Sequence, residues 1–84
     1  MGQRRPRPER LAGKLLAIRQ RLRASQSEMI ALLDMNLTNA RISEYEQGDR
    51  EPNLLVLLRY ARVAHVSVEV LIDDALSLPA LRTK

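Results

Sequence analysis

The chain has 84 residues, no cysteine and a formal net charge of +4. This length accommodates one small domain and excludes a deep cleft between two domains. Without cysteine there are no disulfides or thiolate metal sites, so packing has to stabilise the fold. The apolar residues are mainly Leu, Ala, Val and Ile, which favours helices. No apolar run approaches transmembrane length and no signal-peptide core is present, so a cytoplasmic protein is expected.

The positive charge is concentrated at the N-terminus. Residues 1–23 carry eight of the 14 basic residues and one acid, a net +7, whereas residues 24–84 carry six basic and nine acidic residues, a net −3. A basic end on a slightly acidic body indicates contact with a polyanion, with a solubilising tail as the alternative. Residues 1–8 (MGQRRPRP) combine Pro, Gly and Arg, so the sequence predicts a disordered basic arm.

Apolar spacing and capping residues predict the first three helices. The first is expected over about residues 9–23, with a buried stripe of Leu11, Leu15, Ile18 and Leu22. Ser25-Gln26-Ser27-Glu28 is a capping box that begins a short second helix ending near Leu33. A turn is expected at Asp34 to Leu37. Thr38 then caps a third helix that stops at Gly48.

Two further helices complete the predicted domain. Asn53 is expected to cap a fourth helix reaching Ala64, and Ser67 a fifth. The expected buried stripes are Leu54, Leu57, Leu58 and Ala61 in the fourth helix, and Val68, Leu71, Ile72 and Ala75 in the fifth. These elements predict an all-α domain of five short helices over residues 9–75, followed by a C-terminal tail, 76–84. The proportions of the second and third helices are those of a helix-turn-helix.

The third predicted helix has two chemically different faces. On a helical wheel one face carries small and polar side chains, namely Asn39, Ala40, Ser43, Glu44 and Gln47. Ile42 and Tyr45 lie opposite as anchors. Short amide, hydroxyl and carboxylate groups fit a major groove and can read base edges. A solvated surface helix remains the alternative on this pattern alone.

Residues 26–71 resemble the lambda repressor-like, Cro/XRE-type helix-turn-helix DNA-binding domain. Residues 42–48 (ISEYEQG) resemble the end of the family's recognition helix, and residues 50–54 (REPNL) the loop into its fourth helix. Further matches occur in order at Ile18-Arg19, Ser25-Gln26, Leu57, Ala61, Val66-Ser67 and Leu71. The resemblance implies a sequence-specific transcriptional regulator on double-stranded DNA, commonly a dimer on two half-sites. It implies no enzyme, and no cofactor, metal or small-molecule ligand is expected.

The resemblance also implies roles for single residues. Base contacts are expected from Asn39, Ala40, Ser43 and Glu44. Phosphate contacts are expected from Gln26, Thr38, Arg41, Gln47 and Arg50. Apart from the resemblance, the charge of the Pro-rich arm predicts that Arg4, Arg5 and Arg7 follow the DNA backbone or minor groove. Arg41 and Ser43 can serve either role. Arg19 is expected to form a structural ion pair with Glu46.

Two features depart from the family pattern. The spacing from Gln26 to Ile42 is about two residues longer than in the family's compact form, and Asp34 stands where a turn Gly is usual. An enlarged turn is therefore expected around Asp34 to Leu37, which would shift the recognition helix relative to Gln26. His65 stands where the family usually has Gly, and His can adopt the left-handed conformation at some cost.

A second hypothesis is a protein-interaction module of the same fold, including the antitoxin of a toxin–antitoxin pair, with weak or no DNA readout. Residues 38–47 contain one Arg and two Glu, an unfavourable balance beside phosphates.

A homodimer is predicted through the fifth helix, the tail and part of the fourth helix. These segments contain more apolar residues than one core needs. The apolar residues in question are 54–58, Val70, Leu76, Leu78 and Leu81. A tail that folds back on its own monomer is the alternative.

Overall fold

The computed structural model describes residues 7–79, which form five α-helices and no strand. The helices are α1 (Leu11–Arg21), α2 (Gln26–Leu33), α3 (Asn39–Gln47), α4 (Leu54–Ala64) and α5 (Val68–Ile72). α1 packs against α3 and α5, α2 against α3 and α4, and α4 against α5. The predicted all-α architecture is confirmed, with α2 and α3 as the helix-turn-helix. No helix within these residues is long and apolar enough to cross a membrane.

Side-chain caps determine where four of the helices begin. The Ser25 hydroxyl accepts a hydrogen bond from the Glu28 N–H at 3.0 Å, and the Glu28 carboxylate accepts one from the Ser25 N–H at 2.7 Å. Thr38, Asn53 and Ser67 each accept a hydrogen bond from the backbone N–H three residues later. Because N-caps act over three residues, these four starts were predictable from local sequence, and the predictions are confirmed.

α1 is capped from the opposite end of the chain. The backbone N–H groups of Glu9 and Arg10 donate to the two carboxylate oxygens of Asp74, at 2.9 and 3.0 Å. These are donors that a helix start cannot satisfy by itself. Because both bonds favour the ionised carboxylate, they lower the pKa of Asp74.

α1 is shorter than predicted at both ends. It begins at Leu11 rather than residue 9, and it ends at Arg21 rather than residue 23. Arg23 adopts a left-handed φ of 56°, which a continuing helix cannot accommodate. Leu22, expected in the buried stripe, follows the last helical residue and is 39% exposed.

A buried lysine joins α1 to α5. Lys14 is only 5% exposed, and its Nζ donates to the carbonyl oxygens of Val70 at 2.7 Å and Asp73 at 3.0 Å. A helix C-terminus presents unpaired carbonyls and a partial negative charge, so the ammonium is stabilised there. α5 ends at Ile72 rather than Ala75, because Asp73 is extended and its carboxylate accepts the N–H of Ala75.

The described part of the tail folds back onto α1. The Arg10 guanidinium donates to the Asp74 carbonyl at 2.8 Å and to Ser77 Oγ at 3.3 Å, and Arg21 donates to the Pro79 carbonyl at 2.6 Å. Leu78 packs against the core. The expectation that Leu78 is available to a second copy is therefore wrong, whereas Leu81 lies outside the described residues. We call the contacts between residues 9–21 and 70–79 the terminal seam.

The core draws on all five helices, and it comprises Leu11, Leu15, Ile18, Met29, Leu33, Ile42, Tyr45, Val56, Leu57, Tyr60, Ala61 and Leu71. The predicted stripe of α4 had the wrong phase. Leu54 is 81% exposed, whereas Val56 is 1% exposed, and Leu58 is half-buried. Five consecutive apolar residues are compatible with several buried faces of the helix. The buried face of α4 is the one that includes the ring of Tyr60, together with Val56, Leu57 and Ala61.

The predicted ion pair between Arg19 and Glu46 is present. Arg19 Nε and Nη2 donate to the two carboxylate oxygens at 2.6 and 2.9 Å, and Nη1 donates to the carbonyl of Ala24 at 3.0 Å. The side chains are 19% and 5% exposed. The hydrogen bonds to Glu46 raise the pKa of Arg19. This bidentate pair joins α1 to the C-terminal end of α3.

Breaking the buried pair should cost far more stability than breaking an exposed one. Glu46→Ala strands the Arg19 charge, and we expect the free energy of unfolding to fall by about 2–4 kcal/mol. The matched control is Glu44→Ala in the same helix, whose carboxylate is 40% exposed. That variant should lose less than about 0.5 kcal/mol. Urea denaturation compares the two, and equal small losses would show that the Arg19 pair contributes little.

The buried hydroxyl of Tyr60 predicts a substitution that stabilises the fold. Within the described residues its hydroxyl is the buried side-chain atom without a hydrogen-bond partner. Burial, and then the charge of Glu46, raise its pKa, so the group stays protonated. Because an unsatisfied buried hydroxyl is unfavourable, Tyr60→Phe should raise the free energy of unfolding by about 1 kcal/mol. A lower denaturation midpoint for this variant would contradict the assignment.

Candidate nucleic-acid interface

α3 presents the polar face that its sequence predicts. Ile42 is fully buried and Tyr45 is 4% exposed, so the opposite face is anchored in the core. The residues of the outer face are exposed (Asn39, Ala40, Gln47) or half-buried (Ser43, Glu44). The helix thus offers short polar groups and one methyl group on a side fixed by packing.

The end of α3 depends on Gly48. This residue adopts a φ of +80°, and the N–H of Asp49 then bonds the carbonyl of Glu44 at 2.9 Å. A left-handed residue at this point is favourable for Gly and strained for most others. A Cβ on Gly48 would also lie 3.7 Å from Cβ of Ala12, so this end of α3 sits directly against α1.

The turn between α2 and α3 lies where the sequence spacing predicts it. Five residues, 34–38, separate the two helices. Asp34 adopts a left-handed φ of 56° where the family usually has Gly. Met35 and Leu37 pack against the core. The turn is therefore held in place by packing.

Arg59 of α4 fixes the start of this turn. Its Nη1 donates to the carbonyl of Leu33 at 2.8 Å and to that of Asp34 at 3.1 Å. These are carbonyls that the end of α2 leaves unpaired. The sequence reading missed Arg59, because nothing in the local pattern of α4 distinguishes it from a solvated arginine.

The turn sets Asn39 beside the first turn of α2. The Ser27 hydroxyl donates to Asn39 Oδ1 at 3.2 Å, which orients the amide at the start of α3. Ser27 was not among the predicted site residues, and it directly follows Gln26, which is half-buried at the helix start. At the other end of the face, Gln47 Nε2 donates to Ser43 Oγ at 3.0 Å.

One carboxylate on this face is shared by two arginines. Glu44 Oε1 lies 3.0 Å from Nε of Arg41 and 3.1 Å from Nε of Arg50. All three side chains are at least 40% exposed, so these contacts add little stability. The group has two cations for one anion and therefore carries a net positive charge.

The root of the basic arm passes the same end of α3. Arg7, Pro8 and Glu9 line a cavity of about 240 Å³ whose opposite wall includes Gly48 and Arg50. Arg7 Nε lies 4.0 Å from a carboxylate oxygen of Glu51. Arg7 and Arg50 are thus brought to one region. Arg4 and Arg5 lie outside the described residues.

Comparison with known proteins agrees with this architecture. A family profile described as helix-turn-helix matches residues 15–71. A solved structure of similar fold is that of the P22 c2 repressor protein in complex with the synthetic operator 9T. The match has a TM-score of 0.67 at 23% identity and covers 76% of this chain and 94% of that chain. No curated protein matches the sequence. The profile spans most of the domain, and the chain therefore belongs to the Cro/C1-type helix-turn-helix family, whose members are DNA-binding regulators.

Proposed function

We propose that this chain is a cytoplasmic, XRE-type transcriptional regulator that binds double-stranded DNA sequence-specifically as a homodimer, with α3 in the major groove. The observation that carries the proposal is the outer face of α3. Its side chains are short and polar, and its inner face is anchored by Ile42 and Tyr45. Such a helix can approach base edges closely while its orientation stays fixed.

Base contacts are assigned to the outer face of α3. The Asn39 amide can pair with N6 and N7 of adenine, and the hydrogen bond from Ser27 orients that amide. The carboxylate of Glu44 can accept from N4 of cytosine. The Ala40 methyl group can contact a thymine methyl, and the Ser43 hydroxyl can serve any base.

Phosphate contacts are assigned to the residues around this face. Those of the helix-turn-helix and its following loop are Gln26, Thr38, Arg41, Gln47 and Arg50, and those of the arm are Arg4, Arg5 and Arg7. Such contacts position a protein on the duplex without reading sequence. The shared contact of Arg41 and Arg50 with Glu44 supports the assignment, because it holds both guanidinium groups beside the base-contacting face.

Charge placement favours DNA over the protein-interaction alternative. That alternative drew on the two Glu and one Arg of residues 38–47. Glu46 contributes little negative charge to the surface, since its side chain is 5% exposed and paired with Arg19. The remaining Glu44 contacts two arginines, Arg41 and Arg50. The exposed group of Arg41, Glu44 and Arg50 therefore carries a net charge of +1, which favours a polyanion, whereas Asp49 and Glu51 of the following loop carry negative charge.

Selection from a random pool of DNA duplexes tests the function directly. A sequence-specific dimer should enrich a palindrome whose half-sites are centred about one helical turn, roughly 10 base pairs, apart. An enriched single half-site would support sequence reading and contradict the dimer. A pool without enrichment would favour the interaction module.

Substitutions on α3 should separate base readers from phosphate contacts. Asn39→Ala and Glu44→Ala should each relax preference at one base pair per half-site, at different positions, by about 1–3 kcal/mol. Arg41→Ala should weaken all sequences alike and reduce the salt slope by about one unit. Binding to a panel of single-base operator changes measures both effects. Base preferences that survive both Asn39→Ala and Glu44→Ala would contradict this placement of α3.

Deleting residues 2–8 should make DNA binding less sensitive to salt. Each neutralised phosphate contributes about −0.9 to the slope of log affinity against log salt concentration. The deleted segment carries three arginines. We therefore expect the slope to flatten by about 2–3 units. A titration series that leaves the slope unchanged would identify the segment as a solubilising tail.

The dimer interface is assigned to the start of α4 together with α5. Leu54 is 81%, Leu55 51% and Ile72 42% exposed, a high exposure for large apolar side chains. Leu54 and Ile72 line one groove with Pro8 and Pro52, and its volume is about 370 Å³. Covering this surface with a second copy would remove it from water.

Sedimentation tests the dimer with a matched pair of variants. We expect the wild-type chain to dimerise at high concentration or on DNA, and Leu54→Lys to weaken the dimer because it places a charge in the contact. Leu32→Lys is the control, since Leu32 is also exposed, at 50%, but lies on α2. A wild-type monomer under both conditions would remove the dimer from the proposal.

A further inference from the structure

The terminal seam places an acidic side chain at the root of the basic arm. Asp74 accepts hydrogen bonds from the N–H groups of two consecutive residues, Glu9 and Arg10. Two bonds to adjacent backbone positions constrain the direction of the chain as well as its location. Arg7 and Pro8 lie immediately before this clamp, so Asp74 constrains where these two residues leave α1.

The clamp is reinforced by contacts on the same short segment. The Arg10 guanidinium donates to the Asp74 carbonyl and to Ser77 Oγ. Lys14 holds the end of α5, directly before Asp74, through the carbonyls of Val70 and Asp73. Asp74 is thus fixed to α1 independently of its own carboxylate, which makes it a firm anchor for residues 9 and 10.

The residues next to the clamp lie beside the surface that is proposed to bind DNA. Residues 7–9 line the cavity beside Gly48 and Arg50, at the C-terminal end of α3. Residues 7–9, held on this course, bring Arg7 to the side of the protein where Arg50 is assigned to phosphate. Without the bonds from the N–H groups of Glu9 and Arg10, residues 7 and 8 would lose this constraint, and DNA binding would have to order them.

We propose that Asp74 is a positioning residue for DNA binding, whose carboxylate directs residues 7 and 8, and with them the Arg7 guanidinium, toward the phosphates beside the end of α3. The inference rests on the proposed DNA-binding function and adds a residue remote from α3 to it. Asp74 is an acid, so charge alone predicts that its removal strengthens DNA binding. The positioning role predicts the opposite sign.

The neighbouring residue provides a matched control. Asp73→Ala makes the same change in net charge, but the Asp73 carboxylate accepts a hydrogen bond from the N–H of Ala75 and not from residues 9 or 10. We expect Asp74→Ala to weaken binding to the selected duplex about three- to tenfold and to flatten the salt slope by about one unit, the contribution of the single phosphate assigned to Arg7. Asp73→Ala should keep the wild-type slope, with unchanged or tighter binding.

A second comparison tests whether Asp74 acts through the arm. In a chain lacking residues 2–8, Asp74→Ala should leave the salt slope unchanged, because the element that it directs is absent. A further flattening in that background would overturn the proposal, as would a wild-type slope for Asp74→Ala in the full chain. Both results leave DNA binding by the wild-type chain intact, whereas a wild-type chain that binds no duplex overturns the proposed function and this inference together.

A loss of DNA binding must be distinguished from a loss of folding in each variant. Thermal denaturation establishes that each variant is folded at the assay temperature. Where Asp74→Ala is unfolded, Asp74→Asn is the test, because it keeps one acceptor oxygen and removes the other. A folded Asp74→Asn with a flattened slope supports the positioning role, and one with the wild-type slope overturns it.

Discussion

The bidentate pair between Arg19 and Glu46 controls α3 in two ways. Its hydrogen bonds of 2.6 and 2.9 Å attach the C-terminal part of α3 to α1, which fixes the rotation of the helix about its own axis. The same bonds compensate the charge of the Glu46 carboxylate, whose side chain is only 5% exposed. The pair therefore contributes to the orientation of α3 and offsets one negative charge of that helix, and a neutral apolar pair could supply only the first.

The basic N-terminal segment contributes less free charge than its composition suggests. Of its eight cations, four hold the fold together: Arg10 and Arg21 bond the tail, Lys14 the end of α5, and Arg19 bonds Glu46. Half of the cations in this segment are thus engaged in structural bonds. Composition could not reveal this division, because a buried lysine and an exposed one are identical in sequence.

Local capping was predictable from residues alone, whereas distant contacts were not. The four N-caps follow from residues within one turn of each other, and the structure confirms them. The left-handed conformation of His65, at φ 59°, was suggested only by the family resemblance. The phase of α4 failed because a continuous apolar run contains no period. The roles of Arg59 and Asp74 depend on partners 25 to 65 residues away, which no local pattern encodes. For the interface, the outer face of α3 was predictable, and the Arg19–Glu46 pair was expected from the family resemblance, whereas the contacts made by Ser27 and Arg59 were not.

The acids of this chain orient its cations more than they neutralise them. Glu46 holds Arg19 against α3, Glu44 gathers Arg41 and Arg50 beside the outer face, and Asp74 binds the backbone next to the arm. A small domain cannot bury enough surface to fix long side chains by packing alone. The bidentate bond of the largely buried Glu46 therefore fixes Arg19, whereas the exposed contacts of Glu44 only bias where the guanidinium groups of Arg41 and Arg50 lie.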